Sequence, residues 1–467
     1  MLLSVISLFM LLPLAIALLS HDGAASGFAL ALAITIPAAI LSLILSGRDK
    51  SYELRHRESF WITAVAWIII PVAGALPFIL THTTSSIVDA LFESVSGFTT
   101  TGSSIFTHPE NLPHSILIWR SLTQWIGGLG LILFLIATVR RLSEGSLRLY
   151  SAEFSGTVQR KLHPRIATSV SYMWTVYIFF TILLFVGLLI SGNDIERSFC
   201  LALSTVSTGG FLPSSDALTA LSPFSTILLT LFMFLSGVNV ALLYYLIRGR
   251  FRFIWRDEEF RVYSALYIAA VVSCIVALLL SGNDIGTSIY YPFFHVASTI
   301  STCGYCLPQP SVWPQWLSAV TFVLILTGAS SGSTGGGIKL KRLMILLKYV
   351  SNYFTRMLHP NAVFRVNING RPMEADYVEK VFGYVFLYVV FVIIGGLVLS
   401  LCGCDIPISL CVSAANMGNL GPSPLINSMG AMFDYATLPA LAKIFLAILM
   451  TAGRIEIFAL LALFVRK

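Results

Sequence analysis

Long apolar segments separated by polar loops run through the whole chain. Ten of them reach the length of about 20 residues that a helix needs to cross a bilayer core roughly 30 Å thick. They cover approximately residues 2–20, 26–46, 59–80, 116–139, 168–190, 223–247, 261–281, 313–358, 377–400 and 436–465. This pattern predicts an all-α polytopic membrane protein, in which two N-terminal helices stand apart and the other eight form four pairs.

Each of these four pairs encloses a shorter apolar segment that is followed by a polar loop containing glycine. The short segments are Ile87–Phe98, Glu196–Ser207, Gly286–Ser301 and Ile406–Ala415. Apolar stretches of this length are often re-entrant and do not cross the bilayer. An Asp precedes or begins each of them, and the sequence Ser191–Ile195 recurs as Ser281–Ile285. Such an Asp suits the N-cap of a helix, where it meets free backbone amides.

The chain therefore divides into two N-terminal helices, residues 1–57, and four repeats in a pseudo-fourfold arrangement. Each repeat consists of a helix, a pore helix, a filter loop and a second helix. The repeats cover residues 58–166, 167–257, 258–372 and 373–467. The second helix of the third repeat is interrupted at residues 328–337, whereas the spans 223–247 and 436–465 are predicted to be single helices.

The four polar loops align on one glycine each: Gly102, Gly210, Gly304 and Gly418. Non-helical backbone is tolerated at membrane depth only where it lines water or is buried in protein. The pore helices point their negative dipole ends at these loops, which favours a cation, and backbone carbonyls can replace its hydration shell. The candidate ion ligands are Thr100, Thr101, Gly102, Thr208, Gly209, Gly210, Thr302, Cys303, Gly304, Asn416, Met417 and Gly418. The alternative is four simple glycine and serine turns between helices.

A glycine-rich stretch interrupts the eighth span, and we expect it to form a gate beneath the filter. Its ten residues, 328–337, include five glycines, each of which costs a helix roughly 1 kcal/mol. The candidate gate residues are Gly328, Gly332, Ser333, Thr334, Gly335, Gly336, Gly337 and Lys339, together with Arg454 in the last span. The alternatives are a kinked helix or a phosphate-binding loop, although the Gly-x4-Gly-Lys spacing does not fit.

Three charged residues fall within apolar surroundings. A charge at membrane depth is a functional candidate, so Arg454 is expected to face the pore or to hold the glycine-rich loop. The alternative is a local polar partner, such as the nearby Glu456, or an extended side chain that reaches the cytoplasm. Glu93 could be a hydrogen-bonded structural acid or part of the cation route, and Lys443 is expected at the outer interface.

Composition and charge agree with a membrane protein and set its orientation. Of the 467 residues 56% are hydrophobic and 11% are charged, where a soluble domain has about 25% charged. Of the 29 Lys and Arg, all but Arg120, Arg197, Lys443 and Arg454 fall in segments that share one side. Loops rich in Lys and Arg stay in the cytoplasm, so we expect both ends of the sequence there. The net charge of +7 then reflects membrane insertion and indicates no nucleic-acid partner.

The opposite, outer side carries an acidic mouth, which should concentrate cations. Its residues are Asp22, Glu110, Asp194, Asp216, Asp284, Asp405 and Asp434. The seven Cys and eight His show no metal-ligand spacing, and no catalytic constellation stands out. We therefore expect no enzyme, no cofactor and no metal other than a transported ion. Two rival functions are a membrane-embedded transferase and a secondary carrier of an organic solute, which would need inverted repeats.

Five motifs together resemble the Trk/Ktr/HKT superfamily of potassium transporters, and most closely the TrkH subunits of bacterial Trk systems. They are Phe92–Gly102, Arg120–Gly128, Ser207–Phe211, Gly332–Lys339 and Gly453–Phe458. The resemblance covers essentially the whole chain. It implies a fused four-unit channel with one pore per chain, in which potassium binds beside the aligned glycines and the interrupted helix gates the pore with Arg454.

The resemblance also implies a setting and partners. The expected location is the bacterial cytoplasmic (inner) membrane, and the expected assembly is a homodimer surrounded by membrane lipid. A separate cytosolic nucleotide-binding subunit, similar to TrkA, would regulate it. The membrane potential, worth roughly 2.3 kcal/mol per charge per 100 mV, would drive potassium uptake, and the residues leave proton or sodium symport open.

Overall fold

The described residues of the computed structural model are 2–45, 56–130, 166–307, 314–359, 364–421, 433–455 and 457–461. Most of them are helical, which confirms the all-α polytopic prediction. A single short hairpin interrupts the helices in this part of the chain. Its strands are β1 Asn367–Ile368 and β2 Arg371–Pro372, joined through Asn369 and Gly370, both with positive φ. Asn-Gly is the sequence that a tight two-residue hairpin turn favours.

The helices follow the predicted order of two N-terminal helices and four repeats. The N-terminal pair is α1 Leu2–Ser20 and α2 Ala25–Leu45, and the first repeat has α3 His56–Leu80, α4 Ile87–Phe98 and α5 His114–Gly128. The second repeat has α6 Ile166–Ile190, α7 Ile195–Val206, α8 Pro223–Ser236, α9 Val240–Ile247 and α10 Phe251–Trp255. The third repeat has α11 Glu258–Leu280, α12 Ile285–Ile300, α13 Gln315–Thr327 and α14 Leu340–Leu358, and the fourth has α15 Ala375–Leu401, α16 Ile406–Met417, α17 Ala440–Arg454 and α18 Ile457–Leu461. The basic segments 140–165 and 466–467, most of 48–57, and Glu456 lie outside the described residues.

The repeats pack in a cyclic order. The second helix of each repeat lies against the pore helix of the next one, in the pairs α5–α7, α8–α12, α13–α16 and α17–α4. The last pair closes the ring between the fourth and the first repeat, as a pseudo-fourfold arrangement requires. The pair α1 and α2 packs outside the ring, where Phe9 and Phe28 make edge contacts with Trp125 and Trp119 of α5.

The long helices expose apolar side chains outward. Leu19, Leu280 and Leu401 are each more than 80% exposed, and similar residues follow the same helix faces. Exposed apolar surface of this extent is unusual in soluble proteins and fits contact with lipid. Within the described residues, six helices are long and apolar enough to cross a membrane, or seven when α8 and α9 count as one bent span.

That number is lower than the ten predicted spans because the second helices are broken at the level of the pore-helix ends. The predicted interruption in the third repeat is present, between Thr327 and Leu340. The single helices predicted at 223–247 and 436–465 are wrong, since the chain bends by 118° between α8 and α9 and α17 ends at Arg454. In the first repeat α5 ends at Gly128, and residues 131–139 of the predicted span lie outside the described part.

The ends of two of these second helices pack closely against pore helices. A Cβ at Gly127 of α5 would lie 1.9 Å from the carbonyl oxygen of Phe98, and one at Gly453 of α17 would lie 2.1 Å from that of Met417. Both carbonyls belong to the last residue of a pore helix. Glycine at these positions lets the second helix approach the pore-helix end directly.

One of the pore-helix Asp residues differs from its predicted N-cap position. Asp194, Asp284 and Asp405 are the N-cap residues of their pore helices, but Asp89 lies inside α4. It accepts a hydrogen bond of 2.7 Å from Lys443, which is only 5% exposed. The interfacial position of Lys443 stays a prediction, and its ion pair with Asp89, whose side chain is 25% exposed, ties the fourth repeat to the first.

Candidate ion-conduction site

The four pore helices α4, α7, α12 and α16 end in the same backbone geometry. A residue in the left-handed region follows each C-cap: Thr100, Thr208, Thr302 and Asn419, with φ values between 52° and 62°. The next amide bonds to the carbonyl five residues back: Thr101 to Ser96, Gly209 to Ser204, Cys303 to Ser298 and Leu420 to Ala415. This Schellman motif satisfies the last carbonyls of a helix. Residues other than glycine carry the turn in all four loops, at a cost of roughly 1–2 kcal/mol each.

A glycine with positive φ lies two residues after each of these turns. The glycines are Gly102, Gly210, Gly304 and Gly421, with φ between 70° and 84°. Gly418, which the sequence alignment matched to the first three, has φ −80° and caps α16. Its counterparts in the other repeats are Thr99, Ser207 and Ser301. The predicted alignment of the fourth loop is therefore wrong by three residues.

The error has a physical origin and a signal that could have avoided it. The fourth repeat lacks the run of hydroxyl residues, so the alignment followed the first available glycine. The loops share a shorter pattern: a residue that tolerates left-handed backbone, any residue, then glycine. It reads Thr-Thr-Gly, Thr-Gly-Gly, Thr-Cys-Gly and Asn-Leu-Gly at residues 100–102, 208–210, 302–304 and 419–421. Asparagine adopts positive φ more readily than most residues.

The structure brings the corrected loops together in a ring. A Cβ at Gly102 would lie 2.3 Å from the oxygen of Gly209, one at Gly210 would lie 2.2 Å from that of Cys303, and one at Gly421 would lie 2.1 Å from that of Thr101. Each contact joins one loop to another, and the last joins the fourth repeat to the first. The second loop thus contacts the first and the third, and the fourth contacts the first, with a backbone oxygen packed against a glycine in each case.

Asn416 and Met417 lie behind the ring, in the last turn of α16. Asn416 accepts a hydrogen bond from Ser103 Oγ (2.9 Å) and donates to the hydroxyl of Tyr435 (3.2 Å). The carbonyl oxygen of Gly418 packs against Gly336 of the glycine-rich loop. A Cβ added at Gly336 would lie 2.1 Å from this oxygen. These three predicted ligands therefore support the fourth loop from the side and below, while Asn419 reaches Thr101 Oγ1 at 3.1 Å.

Gln124 on α5 is a loop-supporting residue that the sequence interpretation, which treated its neighbourhood as helix packing, did not identify. Its side-chain amide donates to the carbonyl of Gly209 (2.7 Å) and accepts from the amide of Phe211 (3.2 Å). Ser204 Oγ donates to the same Gln124 oxygen at 2.6 Å. Because the fully buried amide spans the second loop, it holds one of the inter-loop carbonyls in place.

The glycine-rich loop, residues 328–337, is buried throughout and lies beneath the filter loops. The amide of Gly336 donates to Thr302 Oγ1 at 2.7 Å, and a Cβ at Gly335 would lie 2.6 Å from the carbonyl oxygen of Ser301. Thr334 Oγ1 donates to the carbonyl of Val206 at 3.2 Å. The loop thus contacts the carboxyl ends of three pore helices. Lys339, which has φ 76°, closes the loop by donating to the carbonyl of Gly335.

Arg454 connects this loop to the first repeat. Its guanidinium donates to the carbonyl of Thr334 (2.7 Å), to Thr100 Oγ1 (3.2 Å) and to the carbonyls of Gly127 (2.7 Å) and Gly128. The side chain is half-buried among these groups. This geometry agrees with the expectation that Arg454 holds the glycine-rich loop, and the protein carbonyls it binds leave no need for the side chain to extend to the cytoplasm.

Glu93 and Arg120 form a buried ion pair above the first and second loops. Arg120 Nε donates to Glu93 Oε1 at 2.8 Å, and their side chains are 2% and 0% exposed respectively. Glu93 also accepts from the amide of Ile105 (3.0 Å), and Arg120 donates to the carbonyl of Leu212 (3.0 Å). Of the two alternatives for Glu93, these contacts favour a structural acid that fastens the segments following both loops.

An outer cavity of about 370 Å³ lies against Gly102, Gly210 and Gly304, with Asp434 on its wall. Beside it, Glu110 accepts hydrogen bonds from the backbone amide and hydroxyl of Ser215, each 2.9 Å long. The hydrogen bond from the backbone amide of Ser215 lowers the pKa of Glu110 to about 2, so this carboxylate stays charged at physiological pH. Charges of this kind attract cations to a mouth.

The corrected alignment makes a direct prediction for two glycines in the fourth loop. Gly421→Ala should lower rubidium uptake by about tenfold or more, because its positive φ disfavours alanine and the new methyl would displace the carbonyl of Thr101. Gly418→Ala should retain most uptake, since its φ is negative and the nearest atom would be 3.1 Å away. Uptake into proteoliposomes measures both. A larger loss in Gly418→Ala would restore the original alignment.

A family model and several known proteins match most of this chain. A family model described as "TrkH: Cation transport protein" matches residues 26–467. The Trk system potassium uptake protein TrkH of Salmonella typhimurium is 32% identical over 463 residues, covering 97% of this chain and 94% of the relative. TrkH of Halomonas elongata is 32% identical over 473 residues, covering 99% and 96%.

A solved structure agrees with these relatives. The crystal structure of the potassium transporter TrkH from Vibrio parahaemolyticus matches with a TM-score of 0.87 and 27% sequence identity, covering 99% of this chain and 96% of that one. The match extends over all four repeats and the N-terminal pair. The sequence comparisons span the same length, and the chain belongs to the TrkH family of cation transport proteins.

Proposed function

We propose that this chain takes up potassium across the bacterial cytoplasmic membrane through the ring of residues 100–102, 208–210, 302–304 and 419–421. The observation that carries the proposal is the fourfold recurrence of a left-handed turn and a glycine at the pore-helix ends. The relatives are named as potassium uptake proteins. The membrane potential supplies roughly 2.3 kcal/mol per charge per 100 mV, which is enough to accumulate a monovalent cation without a coupled ion.

The mechanism rests on backbone chemistry. Four helix ends contribute about half a negative charge each to the ring, and backbone carbonyls replace the hydration shell of the ion. The loops are not identical, because Thr101, Gly209, Cys303 and Leu420 occupy the same position. We propose that such a ring selects monovalent cations, with a discrimination between potassium and sodium less strict than in a symmetric filter.

Growth and flux experiments test the proposal. The chain should restore growth at limiting potassium to cells that lack potassium uptake, whereas Gly304→Asp should not, because Gly304 has positive φ and lies in the ring. Purified protein should carry rubidium into proteoliposomes, and added sodium should compete weakly. Growth with Gly304→Asp equal to the unmodified chain would contradict the pore. Rubidium uptake abolished by equimolar sodium would contradict potassium as the preferred ion.

We propose that residues 328–337 form the gate, in the closed position. The loop lies directly beneath the ring and is held by Thr302, Val206 and Gly418 above and by Arg454 from the side. An ion that leaves the ring toward the cytoplasm would meet this loop. Conduction then requires the loop to move away, and five glycines give its backbone the freedom to do so.

Removing the contacts of Arg454 should release the gate. Arg454→Gln is expected to raise rubidium flux without any regulatory subunit by about tenfold, because charge-assisted hydrogen bonds worth roughly 1.5–3 kcal/mol each are lost. The matched control is Arg356→Gln, which removes the same charge from an exposed side chain at the end of α14. Flux in proteoliposomes is the measurement. Flux unchanged in well-folded Arg454→Gln would contradict the proposed role.

The partners follow from the same family. The relatives belong to Trk systems, so we propose that a cytosolic nucleotide-binding subunit similar to TrkA controls the gate and that two chains associate as a homodimer in membrane lipid. Both ends of the sequence would face the cytoplasm. Copurification of the tagged chain with a TrkA-like subunit, and its mass in detergent by light scattering, would test these statements.

The two rival functions have less support. A secondary carrier of the expected kind needs inverted repeats, whereas here the repeats follow one another cyclically and their pore helices end at one ring. A membrane-embedded transferase is at odds with the family, whose model is described as a cation transport protein. Proton or sodium symport is a variation on the main proposal, and potassium flux that persists without a pH or sodium gradient would exclude it.

A further inference from the structure

The cytoplasmic start of α11 is held by the hairpin of β1 and β2. Asp257 caps the helix by accepting from the amide of Phe260 (3.1 Å). The hairpin residue Asn369 accepts from the amide of Glu258 (2.7 Å) and donates to Asp257 Oδ2 (3.0 Å). Lys348 of α14 donates to Glu258 Oε2 and to the hairpin carbonyl of Asn367, at 2.7 and 2.8 Å. These contacts clamp the start of α11 to the hairpin and to the helix that follows the glycine-rich loop.

Glu259, the next residue, turns inward from this clamp and contacts the loop itself. Its carboxylate accepts a hydrogen bond of 2.5 Å from the backbone amide of Ser331. Glu259 and Ser331 are 7% and 6% exposed. Burying a carboxylate costs several kcal/mol unless charge and hydrogen bonds compensate. Lys341, the second residue of α14, is the opposite charge that acts on Glu259, and Asp257 is a like charge that opposes it.

Two neutral peptide hydrogen bonds also hold the first half of the loop, at Ser330 and Gly332. The amide of Ser330 donates to the carbonyl of Gly237, and the amide of Val240 donates to the carbonyl of Gly332, both at 3.0 Å. The contact between Glu259 and Ser331 therefore joins the loop through a side chain to a helix that lies outside the filter.

We propose that Glu259 is a positioning residue that latches the glycine-rich loop in its closed position. The proposal rests on the gate role given to that loop above. Because Glu259 follows directly on the residues clamped by the hairpin, a displacement of the hairpin or of α14 on the cytoplasmic side withdraws the carboxylate from Ser331. The loop then loses this side-chain tie and leaves the space beneath the ring.

The test combines a measurement on the loop with a measurement of flux. Hydrogen–deuterium exchange of the peptide covering residues 328–337 reports the loop directly, and rubidium flux in proteoliposomes reports the gate. Glu259→Leu removes the acceptor, and Glu259→Gln keeps an oxygen of the same reach without its charge. The matched control is Glu374→Gln, which removes an exposed carboxylate at the start of α15, the corresponding helix of the fourth repeat.

We expect exchange in the loop to be about tenfold faster in Glu259→Leu and about threefold faster in Glu259→Gln, with flux raised in the same order. Glu374→Gln should change neither. Exchange unchanged in Glu259→Leu would overturn the latch. If Glu259→Leu does not fold, unchanged exchange in Glu259→Gln would overturn it. Faster exchange with unchanged flux would leave the latch standing and refute the gate role of the loop, so the two proposals fail separately.

Discussion

Gly210→Ala is expected to abolish rubidium uptake, with a loss of about a hundredfold or more. Its φ of +84° disfavours alanine, and the added methyl would lie 2.2 Å from the carbonyl oxygen of Cys303. That carbonyl belongs to the neighbouring loop, so either the second or the third loop must shift. A displacement of about 1 Å at a site that works by geometry can cost about a hundredfold in rate. Rubidium uptake into proteoliposomes, corrected for protein content, measures the loss.

The matched control for this prediction is Gly192→Ala. Gly192 has φ +89°, so alanine is strained there to a similar degree, but no atom lies within 4 Å of the added methyl. It should cost about 1 kcal/mol of stability and leave uptake unchanged. If both variants lose uptake equally, backbone strain is the cause and the contact between loops is not. Normal uptake in Gly210→Ala would contradict the ring itself.

Arg120→Met is expected to give the largest loss of stability among single substitutions of the site. It leaves the carboxylate of Glu93, which is 0% exposed, without its charged partner. Breaking a buried ion pair from one side costs about 3–5 kcal/mol, because the remaining charge stays buried. The measurement is the fraction of monodisperse protein that survives heating in detergent, compared over a temperature series.

The double variant Glu93→Leu with Arg120→Met provides the internal test. Replacing both members of a buried pair with apolar groups often costs less than removing one. We therefore expect the double variant to survive heating better than Arg120→Met alone, although the amide of Ile105 and the carbonyl of Leu212 lose partners in it. The single variant Glu93→Leu completes the comparison. If the stability losses of Glu93→Leu and Arg120→Met add up to the loss of the double variant, the two side chains are not coupled and the ion pair does not fasten the loops.

The pore helices were the most predictable elements because their boundaries depend on local signals. The predicted segments 87–98, 196–207, 286–301 and 406–415 differ from α4, α7, α12 and α16 by at most two residues at either end. Short apolar runs, an Asp at or near the start and a polar loop at the end mark them. The first three filter loops were found for the same reason, since their threonine and glycine residues adopt the required turns locally.

The misplaced or missed features depend on contacts between distant residues. Lys443 pairs with Asp89, which is far away in the sequence, so the residues around Lys443 could not indicate its partner. The breaks after Ser236 and at Ile455 occur within long spans that are apolar on average, so mean hydropathy over a span does not reveal them. The role of Gln124 depends on a carbonyl of another repeat at 2.7 Å, which no local pattern in the sequence signals.

By itself the sequence determined the membrane class, the four repeats and the glycine-rich interruption, because length and hydropathy act on each segment independently. Only the tertiary structure decided that Gly421 and not Gly418 completes the ring, that Arg454 joins the gate to the first repeat, and that Glu259 reaches Ser331. These features arise where residues that are distant in the sequence come within hydrogen-bonding distance. Such proximity depends on how all four repeats pack around one ring.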